Sequence, residues 1–265
     1  FKPYTYVGGK TWKRTTDNFT QLHNILSFAY EPTDRLKTTL SLHYTYGYGW
    51  YDELKPNCKL SKFGLEPFTK SDGTTVKKTD LIRQKGLSQN TYGASWNAQY
   101  STRNLNLIGG VSLQNFVGNH FGYLTHIGDP ELSKKLLDGN FNQYQYYDSD
   151  ADKLDGSTVI KAIWHPVKGF DIYGDLQYRG VHYRTEGYND KFYENADGTF
   201  TNQRLDVDQK YNFFNPKAGV SYKVKDHRVY ASVARAHREP QRNNFTDNGS
   251  NPFPVAEKLT DYELG

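Results

Sequence analysis

The chain has one cysteine, Cys58, among its 265 residues. It cannot close a disulfide within itself, and without a CxxC partner Cys58 marks neither a zinc nor a redox site. No run approaches the roughly 20 consecutive apolar residues that a membrane-crossing helix needs, which removes helical insertion. Charge of one sign is not concentrated either. The 33 basic and 29 acidic residues are spread along the chain for a net +4, so the basic block of a nucleic-acid arm is missing. Histidines are scattered without HExxH spacing, and there is no GxSxG elbow, so neither a zinc hydrolase nor a serine hydrolase is indicated. Hydrophobic residues make up only 36% and mean hydropathy is −0.83, yet 15% of residues are aromatic, with 22 Tyr. A disordered chain is aromatic-poor. Strands with one face toward lipid and the other toward a wet lumen reconcile these values.

The clearest segment is Leu36 to Trp50. Leu36, Thr38, Leu40, Leu42, Tyr44, Tyr46, Tyr48 and Trp50 alternate with Lys37, Thr39, Ser41, His43, Thr45, Gly47 and Gly49. Such a period-two stretch is longer than the ordinary soluble strand of about 5–6 residues and suits a tilted membrane strand. Its leucines sit mid-face and its aromatics at one end, as expected where tyrosine and tryptophan rings reach the headgroups. Leu22, Leu26, Phe28 and Tyr30 form a preceding strand across the turn from Glu31 to Arg35. Three further hairpins follow. Tyr92 to Tyr100 pairs with Leu105 to Leu113, Ile160 to Trp164 with Phe170 to Tyr178 through the Pro166 to Gly169 turn, and Phe214 to Tyr222 with Tyr230 to Ala236 through Lys225-Asp226. Between hairpins lie long polar connections, from Tyr51 to Ser88, Val117 to Asp155, Thr185 to Lys210 and Arg238 to Thr260. Alternating short and long connections put all turns on one side and all loops on the other. The expectation is an all-β, antiparallel up-and-down transmembrane β-barrel, here a partial barrel of about eight to nine strands with short periplasmic turns and long extracellular loops.

The C-terminal part carries a resemblance. The strand Val229 to Ala236, followed by His237-Arg238-Glu239-Pro240, resembles the strand ending in a basic residue and a proline in TonB-dependent receptor barrels. Pro254, Glu257, Lys258 and Leu259, then Asp261-Tyr262-Glu263-Leu264-Gly265, resemble the opening of the next strand in that family, and Asn215-Pro216-Lys217-Ala218-Gly219 lies upstream as it does there. The resemblance implies a barrel of about 22 strands with an N-terminal plug, pulled upon by the TonB complex through a short box, in the bacterial outer membrane. Its implied cargo is a scarce nutrient, most often a ferric siderophore or other iron complex, and its surroundings are outer-membrane lipid. Residues 1–265 are expected to form part of one barrel domain, with plug and box outside this stretch. A passive outer-membrane porin shares the strands without the HREP and DYELG pair, and a soluble carbohydrate-binding β-sandwich predicts shorter strands.

On this reading Lys37, His43, Gln99, Gln114, Asp171, Asp175, Gln177 and Arg179 face a polar lumen. Arg235, Arg238, Glu239 and Arg242 are candidates for contact with an anionic chelate or the plug, because guanidinium groups recognise carboxylates bidentately. His120, Phe121, Tyr123 and Tyr188 are candidates for stacking on a flat ligand from the loops, against loop packing or an aromatic girdle as the plainer role. Asp148, Asp150, Asp152 and Asp155 resemble a calcium loop. They depart from the EF-hand where Lys153 takes the glycine place and Val159 the bidentate glutamate place, which favours a solvated acidic loop. No catalytic group, resident metal or cofactor is expected.

Overall fold

A strand that buries one face in lipid must hand every backbone N–H and C=O to a neighbour, since nothing in the apolar layer can replace water. The computed structural model, which describes residues 4–5, 11–12, 17–248 and 251–265, meets this demand with one sheet. Its strands are β1 (Asp17–Thr33), β2 (Leu36–Lys59), β3 (Lys78–Ser101), β4 (Leu105–Ile127), β5 (Tyr144–Val167), β6 (Phe170–Glu194), β7 (Phe200–Val224), β8 (His227–Arg238) and β9 (Glu257–Leu264). Each pairs antiparallel with its sequence neighbours in a nine-stranded meander, and β1 and β9 form its edges among the described residues. The connections at 34–35, 102–104, 168–169 and 225–226 are tight turns. At the β6 end of one, Gly169 has φ 83° and any Cβ there would lie 2.3 Å from the Lys223 carbonyl oxygen.

The register sorts side chains onto two faces. Phe28, Leu40, Trp96 and Val111 form one cross-strand row, and Ile160, Leu176 and Pro216 another, all on the outer face. Leu113, Ile160, Leu176 and Phe214 are each more than half exposed, and a continuous apolar wall of this kind belongs against acyl chains rather than water. Tyrosine–asparagine pairs bound it above. Tyr44 Oη donates to Asn90 Oδ1 (2.8 Å), Asn115 Nδ2 to Tyr92 Oη (3.1 Å) and Tyr178 Oη to Asn212 Oδ1 (2.8 Å). Tyr100, Trp164 and Tyr222 lie near the turns. From Tyr92 to Tyr100 the strand covers about 26 Å before tilt, at ~3.3 Å per residue, close to the thickness of a barrel's apolar band.

The strands run well past this band, which corrects the expected loops. Residues taken as loop between 51 and 88, 117 and 155, and 185 and 210 are largely strand, leaving connections at 60–77, 128–143 and 195–199, besides 239–256. The reason is environmental. Above the tyrosines both faces meet water, so the outer positions turn polar and the apolar alternation disappears while the ladder continues. Asp148, Asp150 and Asp152 are outer-face residues of β5, and Asn119 Nδ2 donates to Asp148 (2.7 Å) and Asp150 (2.9 Å). Asp155 points the other way, toward Arg179. The four carboxylates thus lie on a strand rather than in an acidic loop, and alternation divides them. Pro166 is likewise in β5 and not in the turn.

The connections build a small core of their own. Leu60, Phe63 and Leu65 from the first pack with Leu81, Leu124, Ile127 and Tyr146, and with Leu132 and Leu137 of helix α1 (Pro130–Leu137), whose N-terminus is capped by Asp129 accepting from the Leu132 N–H at 3.0 Å. Gly64, at φ 70°, lets the connection reach the ring of Phe192 on β6.

The facing of β5 predicts unequal costs for adjacent substitutions. Ile160→Arg should destabilise by about 2–4 kcal/mol, whereas Val159→Arg, on the lumen face, should cost little. Guanidinium titration in lipid vesicles measures both, and equal losses would contradict the assigned faces.

Candidate ligand cavity in the lumen

The inner face carries the polar complement expected from its parity. Lys37 sits opposite Gln99, Asp175 opposite Lys217 and Arg179 opposite Phe213, with His43 and Gln114 flanking Gly93. A cavity of about 550 Å³ shows that this face curls inward, because Phe19, Tyr51, Lys85, His120, Tyr147 and Asp190, from β1 through β6, line it together. Lys85 Nζ stands 5.7 Å from the Tyr147 ring centroid and 2.5 Å from Asp190 Oδ2. Aromatic faces beside cations form a surface that can grip a flat, oxygen-rich anion by stacking and charge-assisted hydrogen bonds.

The connection after β8 adds Arg242 to the lining of this cavity. β7 runs from Phe200, but β8 pairs with it only from Lys217 to Val224. Beyond that point His237 stacks on Phe213 (5.8 Å, 4° between planes), with its Nδ1 2.8 Å from Asn215 Oδ1. The chain then turns into the lumen at Glu239-Pro240, both buried. Glu239 accepts from Lys153 Nζ (2.5 Å), Arg179 Nη1 (2.8 Å) and Arg179 Nη2 (3.0 Å), while Asp155 holds the same guanidinium through Nη2 (2.5 Å) and Nε (3.1 Å). Helix α2 (Arg242–Thr246) follows, capped reciprocally by Gln241 and Asn244. Its Phe245 is buried against Tyr183 (5.6 Å between centroids) and Val207, and Arg242 Nη2 donates to Ser149 Oγ at 3.0 Å beside the cavity.

Of the residues singled out in the sequence, His120, Glu239 and Arg242 meet in this region. Arg238 does not. It pairs in the open with Glu257 (2.8 Å) across β8 and β9. Arg235 lies by an outer groove with Ile160, Leu176 and Val233. Phe121 and Tyr123 are strand residues of β4 rather than loop residues, and Phe121 stacks on Tyr48 at 6.2 Å. Tyr188 is on β6, about half exposed, opposite Arg204. Phe19, Tyr51, Lys85 and Asp190 were not singled out. The parity of β2 and β3, carried past the apolar stripe, would have put Tyr51 and Lys85 on the lumen face.

Burial works against a charge on Glu239, but the hydrogen bonds from Lys153 and Arg179 outweigh it and draw the carboxyl from 4.5 down to about 2. A depressed carboxyl pKa stabilises the fold above its unfolded value, and that contribution fades as pH falls toward the folded one. Glu239→Gln should therefore cost about 3 kcal/mol near neutrality. The gap from wild type should stay constant down to about pH 4.5 and close toward pH 2, as read by thermal unfolding in detergent. A gap independent of pH would mean the carboxylate charge is not what Lys153 and Arg179 hold.

Comparison with known proteins places this geometry. The family described as TonB dependent receptor-like, beta-barrel matches residues 2–265. The ferric yersiniabactin uptake receptor FyuA from Yersinia pestis superposes with a TM-score of 0.57 at 14% identity, covering 98% of this chain and 36% of that one. The ferric citrate transporter FecA in its unliganded form gives 0.57 at 13% identity, over 94% and 32% of the two chains. The copper transporter OprC gives 0.53 at 13% identity, over 100% and 46%. The chain thus spans between a third and a half of the length of these structures. No curated protein matches the sequence significantly. The match over almost the full sequence, on a fold shared with these barrels, makes the chain a member of the TonB-dependent receptor-like β-barrel family.

Proposed function

We propose that this chain is wall and ligand cavity of an outer-membrane importer that captures an iron chelate from outside the cell and releases it inward when the TonB complex pulls on a plug seated in the lumen. The family is one of transporters and receptors in the bacterial outer membrane, and two of the similar structures are an uptake receptor and a transporter for ferric complexes. The observation that carries the reading is the cavity above the tyrosine–asparagine level, lined by Phe19, Tyr51 and Tyr147 and by Lys85 and Arg242, with Asp17 and Asp190 beside the cations. Anionic ferric chelates, and chelates with flat aromatic donor groups, present features that cations and rings of this kind recognise. Residues 1–265 act as one barrel unit on this view, and no chemical transformation is assigned. A copper cargo is the second reading, supported by the likeness to OprC. A soluble binding sandwich fits poorly with the exposed apolar band.

Uptake of radiolabelled ferric chelates by cells carrying the intact protein tests the proposal. Transport should stop when TonB is removed, and Lys85→Ala should weaken chelate binding about tenfold, the worth of one charge-assisted hydrogen bond. Uptake that persists without TonB would make the protein a passive pore. Binding of copper with no binding of any ferric chelate would move the cargo to the second reading.

A further inference from the structure

Every hydrogen bond that attaches the segment 239–247 to the wall involves a side chain, its own or the wall's. Its backbone hydrogen bonds are internal, Asn244 N–H to Gln241 O (3.0 Å) and Asp247 N–H to Asn243 O (2.9 Å), and among the described residues none joins it to the strand ladder. Five contacts hold it. Glu239 bridges Lys153 and Arg179, Arg242 Nη2 donates to Ser149 Oγ (3.0 Å), Phe245 fills the space by Tyr183 and Val207, the Thr246 carbonyl accepts from Lys191 Nζ (3.1 Å) and Gln203 Nε2 (3.0 Å), and Asp247 Oδ1 pairs with the same Lys191 ammonium (2.6 Å). Removing the segment would break no rung of the sheet. β7 pairs with β6 from Phe200 to Tyr222 and with β8 only from Lys217 to Val224, so the ladder does not run through the segment.

We propose that residues 239–247 are a strap that docks on and lifts from the lumen wall as a unit, with Glu239 as its latch. Arg242 ties the strap to the cavity, which is where the inference rests on the ligand-site reading. Its Nη2 is held by Ser149, whereas its Nε is buried with no hydrogen-bond partner among the described residues. An anionic ligand that accepts from that Nε is bound more tightly with the strap docked than lifted. By linkage it holds the strap down to the same degree, so the strap admits ligand when lifted and retains it when docked.

Ser149 is 1% exposed beneath Arg242, so it reports lifting. The experiment uses the intact protein in outer-membrane vesicles, with Cys58→Ser to clear the background, Ser149→Cys as the probe and a charged maleimide as reagent. Glu239→Gln should speed labelling on the order of a hundredfold, the fold-change that matches the stability lost with the Glu239 carboxylate, with heat-modifiable mobility on gels unchanged. Phe245→Ala, which removes a separate anchor, should act in the same direction and serves if the first variant does not assemble. Unchanged labelling in the assembled variants would show the strap to be a fixed part of the wall. An equal acceleration at Ser157→Cys, on the lumen face of β5 away from the strap, would show general loosening and likewise overturn the proposal. The readout needs no ligand. A protein that takes up no ferric chelate yet labels faster on loss of Glu239 would end the transport reading and leave the strap standing.

Discussion

Everything in this structure depends on the requirement that backbone polar groups in an apolar layer be paired. A meander in which each strand bonds only to its sequence neighbours is the simplest way to meet it, and it fixes the rest. Side chains must alternate, so residues of one parity meet lipid and residues of the other meet the lumen. The apolar wall of Leu40, Leu113, Ile160 and Leu176 and the polar inner face that carries His43, Gln114, Lys161 and Asp175 are two consequences of one ladder.

That dependence also explains what could be read from the sequence. Where lipid lies on one side and water on the other, the contrast between neighbours is large, and all four hairpins were legible between Leu22 and Ala236. Where water lies on both sides, the ladder is unchanged but the contrast vanishes. Residues 117–127 and 144–155 therefore read as loop although they are strand. The error carried into the site. His120, Phe121 and Tyr123 were grouped as one loop cluster, whereas the strand turns His120 toward the cavity and Phe121 toward Tyr48 on the outside. Glu239 and Arg242 stood out because the motif around them was visible. Their partners lie far off in sequence: Arg179 was legible only as a lumen-facing residue, Lys153 only as a break in the calcium pattern, and Ser149 had no local mark.

The Glu239 network follows a different logic from the wall. Two cations and two carboxylates meet where the lumen face is partly shielded, so each charge depends on the others for the solvation it has given up. Lys153 occupies the position at which a calcium loop would have glycine, and here it is the ammonium donor to Glu239. A residue that spoiled one sequence motif is thus a working part of another arrangement.

The tyrosine–asparagine pairs above the apolar band also act as a waterline. Each phenol is pinned by an amide on an adjacent strand, so its ring cannot swing to follow a rising or sinking bilayer. Those pairs mark the upper limit of the apolar band, and together with the leucines below them they define the depth of the wall in a bilayer. A bilayer thinner than the band must adjust to meet the rings, and Asp148 and Asp150 lie beyond them on the watery side.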